Sequence, residues 1–230
     1  MTPSGKEGRK KRPNPLRSAI LNVLLHPAYF PNIATFAVMA QRQVVWEVHD
    51  NFQKQTYRNR CLISTDKGKH PLLIPIRHRG GTEGRQKYAE VAMDNSYNWK
   101  KLHWRTLETA YRTSPFFEFY EDDLRPLYRD GETSLLDFNL RSIEITAQCL
   151  GLDMPQERTE GYQLRPTATL DARFLVEAKR ERPTPLDPYP QVFGERHGPI
   201  HNLSVLDLLF NLGTQALDYL KGQHLDFLHA

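Results

Sequence analysis

Two short, largely apolar runs stand near the start of the patterned sequence, at 19–25 and 44–48. Runs of this length are typical of strands that are buried on both faces of a sheet. Between them, residues 32–40 place apolar side chains three and four positions apart, which predicts a short helix. The order strand, helix, strand predicts a right-handed parallel crossover, whose two strands end at the same edge of the sheet.

The pattern of the next segment predicts further strands. Apolar runs at 61–65 and 71–76 flank a polar turn that contains Gly68, and a glycine in such a turn favours a hairpin. Residues 88–93 form another short, largely apolar run, and we predict a strand there as well. The first part of the chain is therefore predicted to be rich in strands.

From Trp99 onward the apolar period is helical. The most regular stripe runs from Leu136 to Leu150, and Gly151 is placed to end that helix. Residues 153–200 are rich in proline and lose periodicity, which is typical of a functional or a disordered segment. Ser204 then begins another helix with a capping-box pattern.

Together these elements predict an α/β fold, in which a small parallel or mixed sheet begins with a strand–helix–strand unit and a largely helical C-terminal half follows. We expect one domain over residues 18–230, with a sheet part at 18–98 and a helical part at 99–230. A chain of 230 residues is long enough to bury one substantial core.

Charge changes this picture only at the N-terminus. The formal net charge is +4, but residues 1–17 carry six lysines and arginines against one glutamate, so the rest of the chain is close to neutral. We expect residues 1–17 to be a disordered basic tail. The remainder lacks the overall electrostatic footprint of a protein that binds nucleic acid, so we expect no nucleic-acid partner.

The sequence also bears on the compartment. The run 19–25 follows basic residues, as in a secretory signal, but it is short and no small-residue cleavage site comes directly after it. No run is long enough to span a bilayer, so we expect no transmembrane segment. Cys61 and Cys149 each lie in apolar sequence and are expected to be reduced core residues. These features favour a cytoplasmic protein.

We predict neither a metal nor a cofactor. His197 and His201 are four residues apart, yet the glycine and proline between them disfavour the helix that would direct both rings at one ion. Metal binding by these two histidines remains an open alternative. The run 121–123 is acidic but has no histidine at ligand spacing, and a solvated helical face explains it.

Polar residues follow both strands of the predicted crossover. His26 ends the first run, and His49 and Asp50 end the second. Ligands of open parallel sheets bind at the carboxyl ends of the strands, and the N-terminus of the helix near Asn32 would add partial positive charge for an anion. Asp50 is the stronger candidate, since a carboxylate at the end of a buried strand needs a partner. His26 has the alternative role of capping its strand.

A cationic segment follows directly. If residues 54–63 are extended, Arg58 and Arg60 share one face, because side chains alternate along a strand. Two guanidinium groups side by side can bind a phosphate or carboxylate through paired N–H donors. The alternative is an edge strand that its cations keep soluble.

Several strings of the sequence, in order from about residue 22 to 220, resemble the WbqC-like protein family. They are Pro27–Pro31, Asp50–Gln53, Tyr57–Arg60, Pro75, Trp99–Trp104, Ser114–Phe117, Leu136–Asn139, Asn202–Asn211 and Gly213. The chain departs from the family at His26, where many members carry glutamine, and at 32–34, where a tryptophan-glycine pair is frequent.

The resemblance implies a link to bacterial O-antigen and other surface-polysaccharide gene clusters. Some members have been proposed to transfer glycine or another aminoacyl group to sugar amines. The recurring strings of the family fall on a set of polar residues that we take as candidate site residues: Tyr29, Asp50, Arg58, Asn59, Arg60, Asn202, Asp207 and Asn211.

These observations lead to the hypothesis of a transferase that modifies an amino sugar or a lipid-linked glycan precursor. Asp50, with His49, would be the general base. Arg58 and Arg60 would bind an anionic group of the substrate. The remaining candidates would bind and orient it: Gln53, Asn59, Tyr29, Asn202, Asp207 and Asn211.

Two alternatives differ from this hypothesis. One is a nucleotide-dependent activating enzyme, although the second histidine of an H-x-x-H signature is missing. The other is a non-catalytic scaffold or binding protein. Convergence of Asp50, Arg58 and Asn202 on one open cleft would favour an enzyme, whereas side chains that are fully bonded to one another would favour a scaffold.

Overall fold

The computed structural model describes residues 22–77, 85–129, 131–179 and 181–229. The predicted basic tail, 1–17, and the start of the first apolar run, 19–21, lie outside these ranges. The boundary between tail and domain therefore stays a prediction.

The strand–helix–strand unit is present as predicted. Strand β1 (Asn22–Leu25) is followed by helix α1 (Ile33–Gln41) and strand β2 (Val44–Trp46). The two strands are parallel, with Val23 opposite Val44. Both strands and nearly all of α1 are buried, which explains why their sequences are continuously apolar rather than alternating.

The predicted hairpin consists of β3 (Arg60–Thr65) and β4 (Gly68–Leu73), which pair antiparallel. Gly68 adopts a positive φ of 93°, as the turn requires. The extended conformation considered for 54–63 is wrong at its start, because Tyr57–Asn59 form a 3₁₀ turn. Arg58 and Arg60 therefore do not share the face of one strand.

The predicted strand at 88–93 is also wrong. Tyr88–Glu90 form a 3₁₀ turn, and the following residues make only isolated bridges, Ile76 to Met93 and Ala92 to Ser134. A run of six residues can satisfy its backbone groups through turns and single bridges, so apolar content alone did not decide the conformation.

The C-terminal half is largely helical, as predicted. Its first helices are α2 (Trp99–Tyr111), α3 (Phe117–Leu124) and α4 (Leu135–Leu150). The Ser134 side chain accepts the Asp137 N–H at the start of α4, and Gly151 ends the helix with φ 69°.

The proline-rich stretch contributes a third parallel strand. Strand β5 (Thr169–Asp171) pairs with the free edge of β1, so the order in the sheet is β2-β1-β5. The carboxyl ends of all three strands consequently lie at one edge. The sheet is small and parallel, a separate antiparallel pair accompanies it, and the protein is an α/β protein.

Three short helices complete the chain: α5 (Gly194–His197), α6 (Val205–Leu212) and α7 (Ala216–Gly222). Helix α6 is buried from its first residue to Asn211 and packs against α1 and α4, so it lies in the centre of the core. The Ser204 side chain caps it by accepting the Leu206 N–H. Within the described ranges no helix is both long and apolar enough to cross a bilayer.

Candidate functional site

An open cavity of about 280 Å³ lies at the carboxyl ends of the three parallel strands. His26 directly follows β1, Asp50 follows β2, and Asp171 ends β5, so each strand delivers a polar side chain to it. This is the edge at which the sequence predicts a site. The lining residues are His26, Asp50, Gln53, Arg58, Tyr162, Leu164, Asp171, Arg173, Phe174, Val176, Glu177 and Arg182.

Arg58 connects the ends of β1 and β2. Its Nη2 donates to Asp50 Oδ2 at 3.0 Å and to His26 Nε2 at 2.8 Å. The guanidinium group is completely buried, and Asp50 is only 5% exposed. The 3₁₀ turn at 57–59 directs Arg58 inward, which gives the buried carboxylate the partner that it needs.

His26 is held in one neutral form. Burial, together with the charge of Arg58, lowers its pKa from 6.5 to about 4. Because a guanidinium only donates, Nε2 must accept from Arg58. The proton is then on Nδ1, which donates to the Glu47 carbonyl oxygen at 3.3 Å. The 3.3 Å approach of His26 to Asp50 is therefore not an ion pair at neutral pH.

Both oxygens of Asp50 are occupied. Oδ1 accepts the backbone N–H of Asn51 at 2.7 Å, and Oδ2 faces Arg58 and His26. Burial by itself would raise the pKa of this carboxyl, but the charge of Arg58 and the hydrogen bond from the Asn51 N–H outweigh it, and the pKa is lowered. Asp50 is thus kept as a charged acceptor.

Arg58, in contrast, is only partly satisfied. Its Nε and Nη1 are buried and have no hydrogen-bond partner among the residues that the structure describes. The guanidinium lies over the Tyr88 ring at 5.3 Å, and burial lowers its pKa. Buried donors are almost always paired, so two unpaired N–H groups beside an open cavity point to a missing acceptor.

Arg173 is a second arginine of the lining, and it binds several groups of the cavity wall. Arg173 binds Asp171 with Nε and Nη2 at 2.8 and 2.7 Å, and it donates to the carbonyl oxygens of Gln163 and Leu164 at 3.0 and 3.2 Å. Its charge also lies 5.2 Å from the Tyr162 ring centre. Arg173 therefore ties residues 162–164 to the end of β5. Although burial opposes it, the Arg173 contacts lower the pKa of Asp171.

The lining of the cavity carries one further charge of each sign. Glu177 is half-buried and its carboxylate makes no hydrogen bond or ion pair with the described residues. Arg182 is exposed and stacks over the Phe174 ring at 4.5 Å. Both groups remain available to a ligand.

Of the residues predicted from sequence, Asp50, Arg58 and Gln53 line the cavity. His49 does not: its ring is exposed and its Nε2 lies 2.9 Å from the Thr159 carbonyl oxygen. Arg60 is half-buried in β3 and is not part of the lining.

Tyr29 and Asn59 are core residues. The Tyr29 hydroxyl lies 2.6 Å from the Tyr128 hydroxyl and 3.1 Å from His103 Nδ1, with no exposed surface. Asn59 donates to the Ile74 carbonyl oxygen at 3.0 Å and so joins the 3₁₀ turn to the end of the hairpin. The partners named here are within the protein, and Asn59 Oδ1 is buried without a partner among the described residues.

Asn202 closes the N-terminus of α1 instead of reaching the cavity. Its Oδ1 accepts the Ala34 N–H at 3.0 Å, the Leu203 carbonyl accepts that of Ile33 at 2.9 Å, and Asn32 Oδ1 accepts that of Thr35 at 3.0 Å. The expectation that this terminus serves an anion is therefore wrong, because its first amides are already bonded.

Asp207 and Asn211 form a separate polar cluster inside the core. Tyr111 and Tyr189 donate to the two oxygens of Asp207 at 2.7 and 2.5 Å, and Asn211 donates to the Asp207 carbonyl oxygen at 2.7 Å. Asp207 has no exposed surface. We call these four residues the core cluster, and none of them lines the cavity.

Sequence reasoning missed all the cavity residues of the proline-rich stretch: Tyr162, Leu164, Asp171, Arg173, Phe174, Val176, Glu177 and Arg182. No periodicity marks them. The available signal was the short apolar run 174–176 with charges on both sides, which is unusual within a loop.

Neither cysteine is in a disulfide: Cys61 is buried and Cys149 is half-buried. No group of three or more histidine, cysteine, aspartate or glutamate side chains is arranged to hold a metal ion in the part of the chain that the structure describes. His197 instead lies 3.0 Å from the carbonyl oxygens of Thr65 and Gly198.

Comparison with known proteins adds two findings. The model of the WbqC-like protein family matches residues 26–182, which includes every residue that lines the cavity but excludes Asn202, Asp207 and Asn211. The uncharacterized protein Rv1507c of Mycobacterium tuberculosis is 29% identical over 76% of this chain and 86% of its own length. No solved structure is significantly similar.

Proposed function

The chain belongs to the WbqC-like protein family, and from that membership and the geometry of the cavity we propose that it is a transferase acting on a glycan precursor that carries an anionic group. The family resemblance supports a place in bacterial surface-polysaccharide biosynthesis. We place the reaction in the cytoplasm. The transferred group in this proposal is an aminoacyl group, and the acceptor is an amino sugar or lipid-linked precursor.

One observation carries the proposal: a completely buried guanidinium with two unpaired nitrogens stands at the carboxyl ends of three parallel strands. The missing acceptors for Arg58 Nε and Nη1 are well supplied by the oxygens of a phosphate or carboxylate, whose geometry matches a guanidinium. Arg182 adds a further positive charge to the lining.

The other lining residues support this role. His26 and Asp50 hold Arg58, and Gln53 lies where it can orient the ligand. The sequence predicts Asp50 as the general base. Because both of its oxygens are engaged and its pKa is lowered, the proposal gives Asp50 the task of fixing Arg58 rather than taking a proton.

A non-catalytic scaffold explains the core cluster better than the cavity. Each side chain of the core cluster has partners within the protein, as a structural network requires. Arg58 Nε and Nη1 have no hydrogen-bond partner among the described residues, and neither has the Glu177 carboxylate. The cavity therefore favours ligand binding.

The proposal is tested by thermal shift with three classes of probe: an aminoacyl ester, the nucleotide sugar UDP-N-acetylglucosamine and farnesyl phosphate, with inorganic phosphate as background. We expect at least one organic anion to raise Tm by several degrees. Arg58→Gln and Arg182→Gln should lose that rise, and Arg182→Gln keeps the test valid if Arg58→Gln fails to fold.

The matched control is Arg112→Gln, because Arg112 is an exposed arginine directly after α2 whose partners lie outside the cavity. It should bind like the wild type. Absence of stabilisation by every probe, or equal stabilisation of all four proteins, would refute the proposed anion site. Turnover of the bound probe with an aminoacyl donor then separates a transferase from a binding protein.

A further inference from the structure

Three carboxylates among the described residues line the cavity, and they differ in how they are used. Asp50 is bonded to Arg58 and to a backbone N–H, and Asp171 is bonded to Arg173. Glu177 alone makes no hydrogen bond or ion pair within the described ranges. A carboxylate whose lone pairs are free is the better proton acceptor.

The backbone of Glu177 is nevertheless firmly placed. Its N–H donates to the Phe174 carbonyl oxygen at 2.9 Å, and it forms a bridge with Thr56. The next N–H, of Ala178, donates to the Gln55 carbonyl oxygen at 3.3 Å. Glu177 is therefore a fixed position with an unbonded side chain, half-buried at the cavity wall.

The charges of the lining point to the kind of ligand. Arg58 pairs with Asp50, Arg173 pairs with Asp171, and His26 is neutral. Of the charged lining residues that the structure describes, Glu177 and Arg182 remain, one of each sign. A ligand with one anionic and one cationic group would place an opposite charge beside each of these two side chains, which limits the cost of burying charge.

We propose that Glu177 is the proton acceptor of this site and that the acceptor substrate carries a protonated amine together with its anionic group. This inference rests on the proposed transferase function. Glu177 binds the ammonium, and the arginines bind the anionic group. An amine held by a carboxylate is oriented and deprotonated by the same contact.

The reaction balances as follows. The ammonium gives one proton to Glu177, and the freed lone pair forms a C–N bond to the carbonyl carbon of an acyl ester or acyl anhydride donor. The C–O bond to the leaving group breaks and its electron pair goes to the departing oxygen. That oxygen takes the second N–H proton, and Glu177 returns its proton to water. The product is an amide.

Two probes that differ only in the amine test the inference: glucosamine 6-phosphate and glucose 6-phosphate. We expect calorimetry at neutral pH to show the wild-type protein binding the amino sugar about tenfold more tightly. In Glu177→Gln the two affinities should become equal, while the affinity for glucose 6-phosphate changes by less than about twofold. Glu177→Asp should retain part of the preference.

Glu160→Gln is the matched control, because Glu160 is exposed and lies outside the cavity lining. It should keep the tenfold preference. Since the Glu177 side chain makes no bond to the described residues, Glu177→Gln should melt within a few degrees of the wild type, which excludes misfolding as the cause.

The outcomes separate the two proposals. Equal binding of both probes by the wild type overturns the role of Glu177 and leaves the anion site intact. If Glu177→Gln still prefers glucosamine 6-phosphate to glucose 6-phosphate, the role of Glu177 is likewise overturned and the anion site stays intact. Binding of neither probe overturns the anion site and the role of Glu177 together.

Discussion

The cavity and the core cluster each contain a carboxylate with little or no exposed surface, Asp50 and Asp207, but the two regions treat it in opposite ways. Asp50 faces a guanidinium and has a lowered pKa. Asp207 is surrounded by neutral donors, Tyr111 and Tyr189, and has a raised pKa because burial outweighs their hydrogen bonds. Burial alone therefore does not identify a functional carboxylate.

The difference extends to the groups around each carboxylate. In the core cluster the hydroxyl and amide donors are used up by Asp207 and its backbone. In the cavity Arg58 keeps two unpaired nitrogens and Glu177 keeps a free carboxylate, as far as the described residues show. In a structural network the polar groups bond to one another, whereas a binding site leaves specific groups unbonded for a ligand.

The largest expected effect concerns the core cluster. Asp207→Ala leaves two buried tyrosine hydroxyls without an acceptor and should lower the free energy of unfolding by about 3 kcal/mol, measured by urea denaturation. Binding of glucosamine 6-phosphate by the folded variant should not change.

Asp122→Ala provides the control, since Asp122 is exposed on α3 and should cost less than about 0.5 kcal/mol. A loss of probe binding in folded Asp207→Ala would remove the distinction between the two regions. Asp207→Asn tests the direction of the pH dependence. Because the pKa of wild-type Asp207 is raised, its carboxyl group should contribute less to the free energy of unfolding as pH rises from acidic values. The Asp207→Asn variant cannot titrate at this position and should lack this pH dependence.

The second prediction addresses acid sensitivity of the cavity. The pKa of His26 is lowered from 6.5 to about 4, so the unfolded chain binds a proton more readily and the wild type loses stability as pH falls through this interval. His26→Gln keeps a neutral acceptor for Arg58 and cannot titrate. At pH 5 the variant should avoid a loss of about 2 kcal/mol.

The measurement is the difference in unfolding free energy between pH 7 and pH 5 in each protein. His103, whose pKa burial also lowers to about 4, is present in both and cancels. Equal losses in the two proteins would show that His26 is not buried as a neutral ring.

The third prediction concerns the wall of the cavity. Lysine cannot bind Asp171 through two donors and the carbonyl oxygens of 163 and 164 at once, so Arg173→Lys should loosen residues 162–164. We expect about tenfold weaker binding of glucosamine 6-phosphate, or about 1.4 kcal/mol.

Arg112→Lys is the counterpart outside the cavity, because Arg112 also binds one carboxylate, that of Glu121, through two nitrogens. Its probe affinity should match the wild type. If the two variants bind the probe equally well, residues 162–164 do not form a wall of the site.

The smallest expected effect is that of His49→Ala, which tests whether His49 lies outside the binding site. The sequence predicts His49 as a partner of Asp50, but its ring lies outside the lining. His49→Ala should therefore change the affinity for glucosamine 6-phosphate by less than about twofold in calorimetry. A tenfold loss would restore His49 to the site.

Local sequence was sufficient for much of the fold. The β1–α1–β2 unit, the hairpin and α4 each depend on residues close in the chain: apolar runs, a turn glycine, and a serine and glycine that cap the helix. Strand β5 could not be predicted in this way. Three residues, Thr169–Asp171, carry too little pattern, and they form a strand because the edge of β1 offers hydrogen bonds to them.

The candidate site divides in the same way. Asp50 and Arg58 are eight residues apart, and a buried strand end and a nearby cationic segment marked each of them as a candidate for one site. Their direct pairing is shown only by the structure. Asn202 looked equally polar, yet its amide caps α1. Glu177 and Arg182 enter the cavity only because β5 brings their segment beside β1.

By itself, the sequence determined that parallel strands would place polar residues at one edge of the sheet and that helices would follow. The spacing of apolar residues that distinguishes strands from helices can be read from residues close together in the chain. Only the tertiary structure decided which polar groups are satisfied. Asp207 accepts hydrogen bonds from Tyr111 and Tyr189, which lie in distant segments of the chain. Whether the oxygens of a carboxylate already have such donors distinguishes a core carboxylate from a site carboxylate.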